Sequence, residues 1–272
     1  MAATAILFPG QGSHEAGMDE PYRDSDVLRR GLERLGEDPF ARLEEGTRWQ
    51  QPALFLACAA AWEAARGAAP PDAVIAAAGH SLGEYAALFA AGALDFDAAL
   101  ELVDVRARAM AAAGEAAPGG MVAMLGGEEA AVRELAERLG LTVANDNAPG
   151  QLVLSGPIDA VREAEARPRD AGARARVLPV SGAFHSPLMA PAADALREAL
   201  ARVEVRDPAF PVYSNGTAAP FADVREELAA NLLRPVRWRE TILALRDAGA
   251  EDFEELGPGR VLTGMVRRTV RG

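Results

Sequence analysis

Apolar positions along the chain fall into two kinds of pattern, short unbroken runs and longer stretches at helical spacing. "TAILF" (Thr4 to Phe8) is an unbroken run stopped by Pro9-Gly10, as expected of a strand covered on both faces. "QPALFLACAAAWEAA", from Gln51, predicts a helix with Pro52 in its first turn, where a missing N–H is harmless. "DAVIAAA" (Asp72 to Ala78) predicts a second buried strand. The stretch after Ser81 predicts a helix closed by Gly92. Asp95 then predicts the N-cap of a long helix reaching about Ala113. Strand and helix alternate, which points to an α/β layered fold.

From Gly119 the pattern changes. "MVAML" predicts a strand, "EEAAVRELAERLG" a helix, and "LTVAND" and "QLVLSG" two strands joined at Ala148-Pro149-Gly150. "IDAVREAEARPRDAG" predicts a helix interrupted near Pro168, and "ARVLPV" a last strand. The order β-α-β-β-α-β is the ferredoxin-like arrangement. It predicts a small subdomain over residues 119–179, inserted into a discontinuous large subdomain made of residues 1–118 and 180–272. "FPVYSN" and "AEDFEELG" supply further strands to the large subdomain. A cleft between the two lobes is the expected result.

Composition narrows the function classes. The 272 residues are half apolar and carry a formal net charge of −12. That balance argues against nucleic-acid or anionic-membrane binding, which need a positive footprint. Every Lys+Arg position is arginine, which excludes lysine Schiff bases and the lysine of phosphate-binding loops. Cys58 is the single cysteine, so neither an intrachain disulfide nor a Cys-rich metal site is expected. "MAATAILFPG" has no basic segment followed by a long apolar core and does not read as a signal peptide. No apolar run is long enough to span a bilayer. A cytoplasmic protein is the expectation.

The first candidate for chemistry is Ser81 in "GHSLGEYAAL". Gly-x-Ser-x-Gly between a strand and a helix is the nucleophile-elbow pattern. The glycines allow a sharp turn, the serine projects at the top of the sheet, and the following helix aims its first N–H groups at the same spot. The plain alternative is a Gly-rich turn with a helix-capping serine.

A serine nucleophile needs a base, and the chain has only His14, His80 and His185. His80 is the serine's neighbour in sequence and is expected to point away. His14 lies in a Gly-rich loop. His185 precedes Ser186-Pro187, which read as the N-cap and first residue of a helix. A helix N-terminus disfavours imidazolium and so favours the neutral ring that a general base requires. The alternative is a histidine at a helix mouth with no task. Arg106 is the third candidate. Phe96, Ala99, Val103, Ala107 and Met110 form an apolar arc with Arg106 at its edge and Arg108 facing away. A guanidinium against apolar surface needs an anion or must reach outward. Its partner is either a protein carboxylate such as Glu101 or a carboxylate on a substrate.

"FPGQGS", "QPAL", "GHSLGEYAAL", "VDVRARAM", "SGAFHSPLM", "LLRPVRW" and "ELGPGRVLTG" occur in the order seen in malonyl-CoA:acyl-carrier-protein transacylases. The chain resembles that family from Phe8 to about Arg268. The resemblance implies an α/β-hydrolase-like core with a ferredoxin-like insertion. It implies that Ser81 carries the malonyl group and that His185 is its base, oriented by the Asn231 carbonyl. It further implies that the N–H groups of Gln11 and Leu82 receive the oxyanion and that Arg106 binds the malonyl carboxylate. Phe184 matches a wall against an α-methyl group, and Asn145 and Asn147 lie in a loop lining the cleft. Arg174 and Arg267 match positions near the cleft mouth and are the candidates for docking the carrier protein. The chain departs from the pattern in its short loops, in His14 where glutamine is frequent, and in Arg234 where asparagine is common.

The function so implied is a ping-pong transfer of malonyl from malonyl-CoA to the phosphopantetheine thiol of an acyl carrier protein. It needs neither metal nor other cofactor and serves fatty-acid or polyketide synthesis in a monomeric enzyme. The alternatives are an acyl-thioester hydrolase on the same Ser-His site and an acyltransferase for a different extender unit.

Overall fold

A computed structural model describes residues 2–68 and 74–271 of the chain. In chain order the elements begin with β1 (Thr4–Phe8), α1 (Asp26–Leu35), α2 (Thr47–Ala68), β2 (Val74–Gly79), α3 (Gly83–Ala90) and α4 (Phe96–Ala116). There follow β3 (Gly119–Leu125), α5 (Glu129–Arg138), β4 (Thr142–Ala148), β5 (Gln151–Pro157), α6 (Ile158–Ala166) and β6 (Arg174–Val177). The chain ends with α7 (Ala190–Leu200), β7 (Val212–Tyr213), α8 (Val224–Asn231), α9 (Trp238–Asp247), β8 (Asp252–Glu255) and α10 (Val261–Arg271).

The strands form two sheets. One is parallel, in the order β7-β2-β1-β8. Its strands come from both sides of the 119–177 region, β1 and β2 before it and β7 and β8 after it. Period-two alternation sorts β1 between two cores. Ile6 and Phe8 face a cluster shared with α2, α3, α4 and α7, while Ala5 and Leu7 face Trp238, Ile242, Leu245 and Leu262 of α9 and α10. The second sheet is antiparallel, in the order β4-β5-β3-β6, the ferredoxin-like order. Val122 and Met124 of its central strand pack on α5 and α6, while Met121 and Ala123 turn toward the large core.

Local signals explain most boundaries. Asp95 Oδ1 accepts from the Ala98 N–H at 2.8 Å and starts α4, a cap worth about 1 kcal/mol. At the end of α3, Gly92 has φ 75° and donates to the Phe89 carbonyl, while Ala93 donates to Leu88, a Schellman closure. Some expectations need correction. α2 begins at Thr47, not Gln51, so Pro52 lies inside the helix. Trp49 and Gln50 both donate to the Gly46 carbonyl, and the polar residues Thr47 and Gln51 are buried. Apolar periodicity therefore could not locate that start. α4 continues to Ala116, and β6 ends at Val177 rather than Val180. Asp72 and Ala73, placed in the second strand from sequence, lie outside the described residues.

Candidate active site

The β2–α3 junction builds the centre of the site. A Cβ on Gly79 would collide with the Gly83 backbone, and one on Gly83 with the Phe8 carbonyl oxygen. Only glycine at both positions lets the turn close this tightly against β1. Ser81, between them, takes the left-handed conformation at φ 51°, a strained state for a residue with a side chain. Its N–H donates to Asn215 Oδ1 at 2.6 Å, which leaves the hydroxyl free for other partners.

Ser81 Oγ lies 2.8 Å from His185 Nε2. His185 Nδ1 faces two backbone carbonyls, Asn231 at 2.8 Å and Arg234 at 3.1 Å. Carbonyls only accept, so Nδ1 carries the proton and Nε2 is left as an acceptor for the serine O–H. Burial, reinforced by the Arg106 charge, pushes the His185 pKa down to about 3, so the ring is neutral at physiological pH. Ser186 Oγ accepts from Leu188 N at 3.3 Å and starts the helical segment after the histidine.

Arg106 completes the centre. Its Nη2 donates to Ser81 Oγ at 2.9 Å and its Nη1 to Gln51 Oε1. The residue is 2 % exposed. It stands within the buried face of α4, not at its edge, because α2 and α7 cover the helix from two sides. Glu101 is not its partner, since that carboxylate pairs with Arg34. Among the described residues Arg106 makes no ion pair, and its Nε has no hydrogen-bond partner. Burial lowers its pKa, opposed by Tyr85 and Glu84.

A cavity of about 130 Å³ opens beside Ser81. Gln11, His80, Ser81, Asn145, Asn147, Phe184 and His185 line it, with Val261, Leu262 and Met265 contributed by α10. Arg106 lies behind Ser81, outside this lining. Neither the Gln11 N–H nor the Leu82 N–H donates to another group among the described residues, and Leu82 is the N-cap of α3. Asn147 is engaged by His80, with Oδ1 2.8 Å from Nε2, so His80 does not simply point away. Arg174 is exposed at the start of edge strand β6. Arg267 faces a separate groove with Phe253, Glu254 and Arg260 rather than this cavity.

Sequence reasoning missed Gln51, Asn215 and Glu84. Gln51 opens the "QPAL" motif but gives no signal of burial. Asn215 reaches the serine from a loop 134 positions away. Among the described residues no group of three or more His, Cys, Asp or Glu is arranged to hold a metal, and no helix is long and apolar enough to cross a membrane.

A strand–turn–helix that offers a serine to a buried neutral histidine, beside a cleft between two lobes, defines a class of α/β hydrolases and acyltransferases. The sequence pattern described as "Acyl transferase domain" matches residues 6–272, and the chain belongs to that family. It is 42% identical to polyketide biosynthesis protein ThaF of Burkholderia thailandensis over 97% of its length, but spans only 24% of that longer protein. It is 39% identical to the malonyl CoA-acyl carrier protein transacylase of Bacillus subtilis, covering 100% of this chain and 92% of the relative. Among solved structures, the malonyl-transacylase complex PlMCAT:AntF, with a type II polyketide-synthase acyl-carrier protein, superposes at a TM-score of 0.92. The identity there is 35%, covering 99% of this chain and 94% of that one.

Proposed function

We propose that the chain transfers a malonyl group from malonyl-CoA to the phosphopantetheine thiol of an acyl carrier protein, through an ester on Ser81. The observation that carries this reading is the Ser81 hydroxyl, 2.8 Å from His185 Nε2 and 2.9 Å from a buried guanidinium that makes no ion pair among the described residues. The names of relatives matched over nearly their whole length support the same substrate pair.

His185 Nε2 takes the hydroxyl proton as Ser81 Oγ attacks the thioester carbonyl. The oxyanion is received by the Gln11 and Leu82 N–H groups, each such donor being worth about 3–4 kcal/mol in the transition state. The C–S bond breaks, the protonated His185 returns its proton to the sulfur, and CoA leaves as a thiol. The carrier thiol then gives its proton to His185, attacks the ester, and restores Ser81. Asn231, through its carbonyl, keeps the imidazole in the tautomer that both halves require.

Arg106 supplies the acyl selectivity. Its Nη2 and unpartnered Nε form one edge of the guanidinium, suited to a bidentate carboxylate, which reaches that buried edge only when the side chains between it and the cavity give way. Phe184 and Asn147 both line the cavity, and in this reading the bulk of Phe184 leaves little room for an α-methyl group. Arg174 and Arg267 are the docking candidates for the acidic carrier. In this reading residues 119–179 form the small subdomain, the enzyme acts as a cytoplasmic monomer, and the chemistry uses protein groups alone.

Intact-mass spectrometry after mixing with malonyl-, methylmalonyl- and acetyl-CoA tests the proposal. A malonyl adduct, lost in Ser81→Ala and discharged by a carrier thiol faster than by water, is the expected result. No adduct, or discharge mainly to water, overturns it in favour of no activity or of a hydrolase.

A further inference from the structure

Glu84 is the fourth residue of "SLGE" and sits in the first turn of α3. A glutamate there usually complements the helix dipole from the surface. This one is 3 % exposed, and its carboxyl group reaches away from its own helix. Oε1 accepts the Asn215 N–H at 2.8 Å and the Asn231 Nδ2–H at 2.9 Å. Those two asparagines are the ones that hold the reacting pair. Asn215 Oδ1 accepts the Ser81 N–H at 2.6 Å, and its Nδ2 donates to the Gly79 carbonyl at 2.6 Å. The Asn231 carbonyl accepts from His185 Nδ1 at 2.8 Å. Asn231 Nδ2 also donates to Ser214 Oγ at 3.0 Å.

We propose that Glu84 is a positioning residue, whose single oxygen ties the loop that holds Ser81 to the helix end that holds His185. The inference rests on the Ser81–His185 reading above. Glu84 touches neither reacting atom. It acts through Asn215 and Asn231, which approach it from elements 131 and 147 positions further along the chain. Without the tie, the end of α8 and the residues just after it are free to move, and the Asn231 and Arg234 carbonyls hold the Nδ1–H tautomer less firmly. The imidazole then presents a proton, not a lone pair, to Ser81 for part of the time. Burial pushes the Glu84 pKa up to about 8, so near neutral pH it is largely the uncharged acid. A neutral acid accepts two N–H bonds on its carbonyl oxygen as the amide of glutamine does, so Glu84→Gln preserves the tie and Glu84→Ala removes it.

The test has two readouts. The first is the single-turnover acylation rate and the malonyl-CoA KM of both variants. The second is the 15N spectrum of the ring nitrogens, simple to assign with three histidines in the chain. The expected result is a Glu84→Ala rate reduced about 10–100-fold, the range seen when an outer hydrogen-bonding partner of a metal-bound histidine is removed. KM is expected to stay within about twofold, with His185 shifted from pure Nδ1–H to a tautomer mixture. Glu84→Gln is expected to recover most of the rate and the single tautomer. A Glu84→Ala protein with an unmixed tautomer, whether its rate falls or not, overturns the proposal. If that variant does not fold, Asn231→Ala cuts the same tie while leaving the backbone carbonyl, and the same tautomer mixing is expected. An unmixed tautomer there, or failure of both variants to fold, also overturns it, because the link then serves the fold and not the histidine. The tautomer readout needs no substrate, so it stands apart from failure of the malonyl-transfer reading, which would appear as no acylation in the unmodified protein.

Discussion

Ser81 and His185 meet at 2.8 Å, and both are held in left-handed backbone, at φ 51° and 56°. Apart from glycines, Ala218 is the only other residue given such a conformation among the described residues. Each left-handed residue with a side chain costs about 1–2 kcal/mol. The surrounding turns must hold both in place for the side chains to converge. Strain at both ends of one contact marks it as a place where the fold gives up stability for geometry.

A comparison of Ser81→Gly with Ser81→Ala isolates that strain. Both remove the hydroxyl, and both are expected to abolish acyl-enzyme formation by intact mass. Glycine adopts the left-handed turn freely, whereas alanine keeps the penalty. Offset by glycine's greater chain entropy, Ser81→Gly is expected to be the more stable variant by about 1 kcal/mol in denaturant unfolding. Equal stability would mean that the turn is not strained.

The depressed His185 pKa sets the pH behaviour. In the free enzyme the base is expected to stay active well below pH 6.5, because burial and Arg106 hold its pKa near 3. In the proposed reading a malonyl carboxylate bound to Arg106 would cancel the charge that helps depress it. The acid limb of kcat is therefore expected at higher pH than that of kcat/KM, since the two report the bound and free enzyme. Stability follows by linkage. His185 binds fewer protons folded than unfolded between its ordinary value of 6.5 and about 3, so stability falls as pH drops through that window. Glu84 binds more protons folded between 4.5 and about 8, so its contribution is complete below 4.5 and is lost as pH rises through 8. The two slopes oppose each other between pH 4.5 and 6.5, where Tm is expected to plateau. Glu84→Gln is expected to flatten the alkaline decline, read from Tm against pH.

The parts of the site legible in the sequence were those set by local chain geometry. Gly79, Ser81 and Gly83 announce a turn by spacing alone, and His185 announces itself by preceding Ser186-Pro187. The unbroken apolar runs of β1 and β2 and the β-α-β-β-α-β order pointed to both sheets. What stayed hidden depends on distant contacts between polar groups. Arg106 looked marginal on its helical arc because α7, which covers its other side, is 84 residues further on when measured from Arg106 to Ala190. Glu84 carries no signal of its role in the sequence, because its partners come from a loop and a helix end that only tertiary folding brings near. The start of α2 was misplaced for the same reason: Thr47 and Gln51 are buried by polar bonds to Gln11 and Arg106, which no apolar pattern records.

Arg106→Met separates acyl selectivity from rate. Methionine keeps much of the apolar stem over the Tyr85 ring, which the guanidinium carbon approaches at 5.8 Å from the centroid. It removes the donors to Ser81 and to the acyl carboxylate. Hydrogen bonds to a charged group contribute about 1.5–3 kcal/mol, or roughly 10–150-fold. Malonyl transfer is expected to fall within that range, with acetyl transfer comparable or raised. Parallel kcat/KM measurements with malonyl- and acetyl-CoA decide the matter, and equal losses would assign Arg106 to catalysis or folding instead.

Docking of an acidic carrier onto a chain of net charge −12 requires local cations against an unfavourable overall field. Arg174 on edge strand β6 and Arg267 on α10 are exposed and make no ion pair among the described residues, a state they share with other exposed arginines such as Arg169, Arg176 and Arg246, so it is their place near the cavity that makes them the candidates. Two elements lead from these arginines to the cavity. Leu178 follows β6 and lines it, and so does Met265 on α10. Arg267 itself turns toward the groove beside Glu254 and Arg260, so its charge acts from further round the rim. Arg174→Glu and Arg267→Glu are each expected to raise the KM for carrier protein while leaving the KM for malonyl-CoA unchanged, with the larger effect at Arg174. The increase is expected to shrink with added salt, because exposed charges are screened over about 10 Å at 0.1 M. A carrier KM unmoved in both variants at low salt would place the docking surface elsewhere on the molecule.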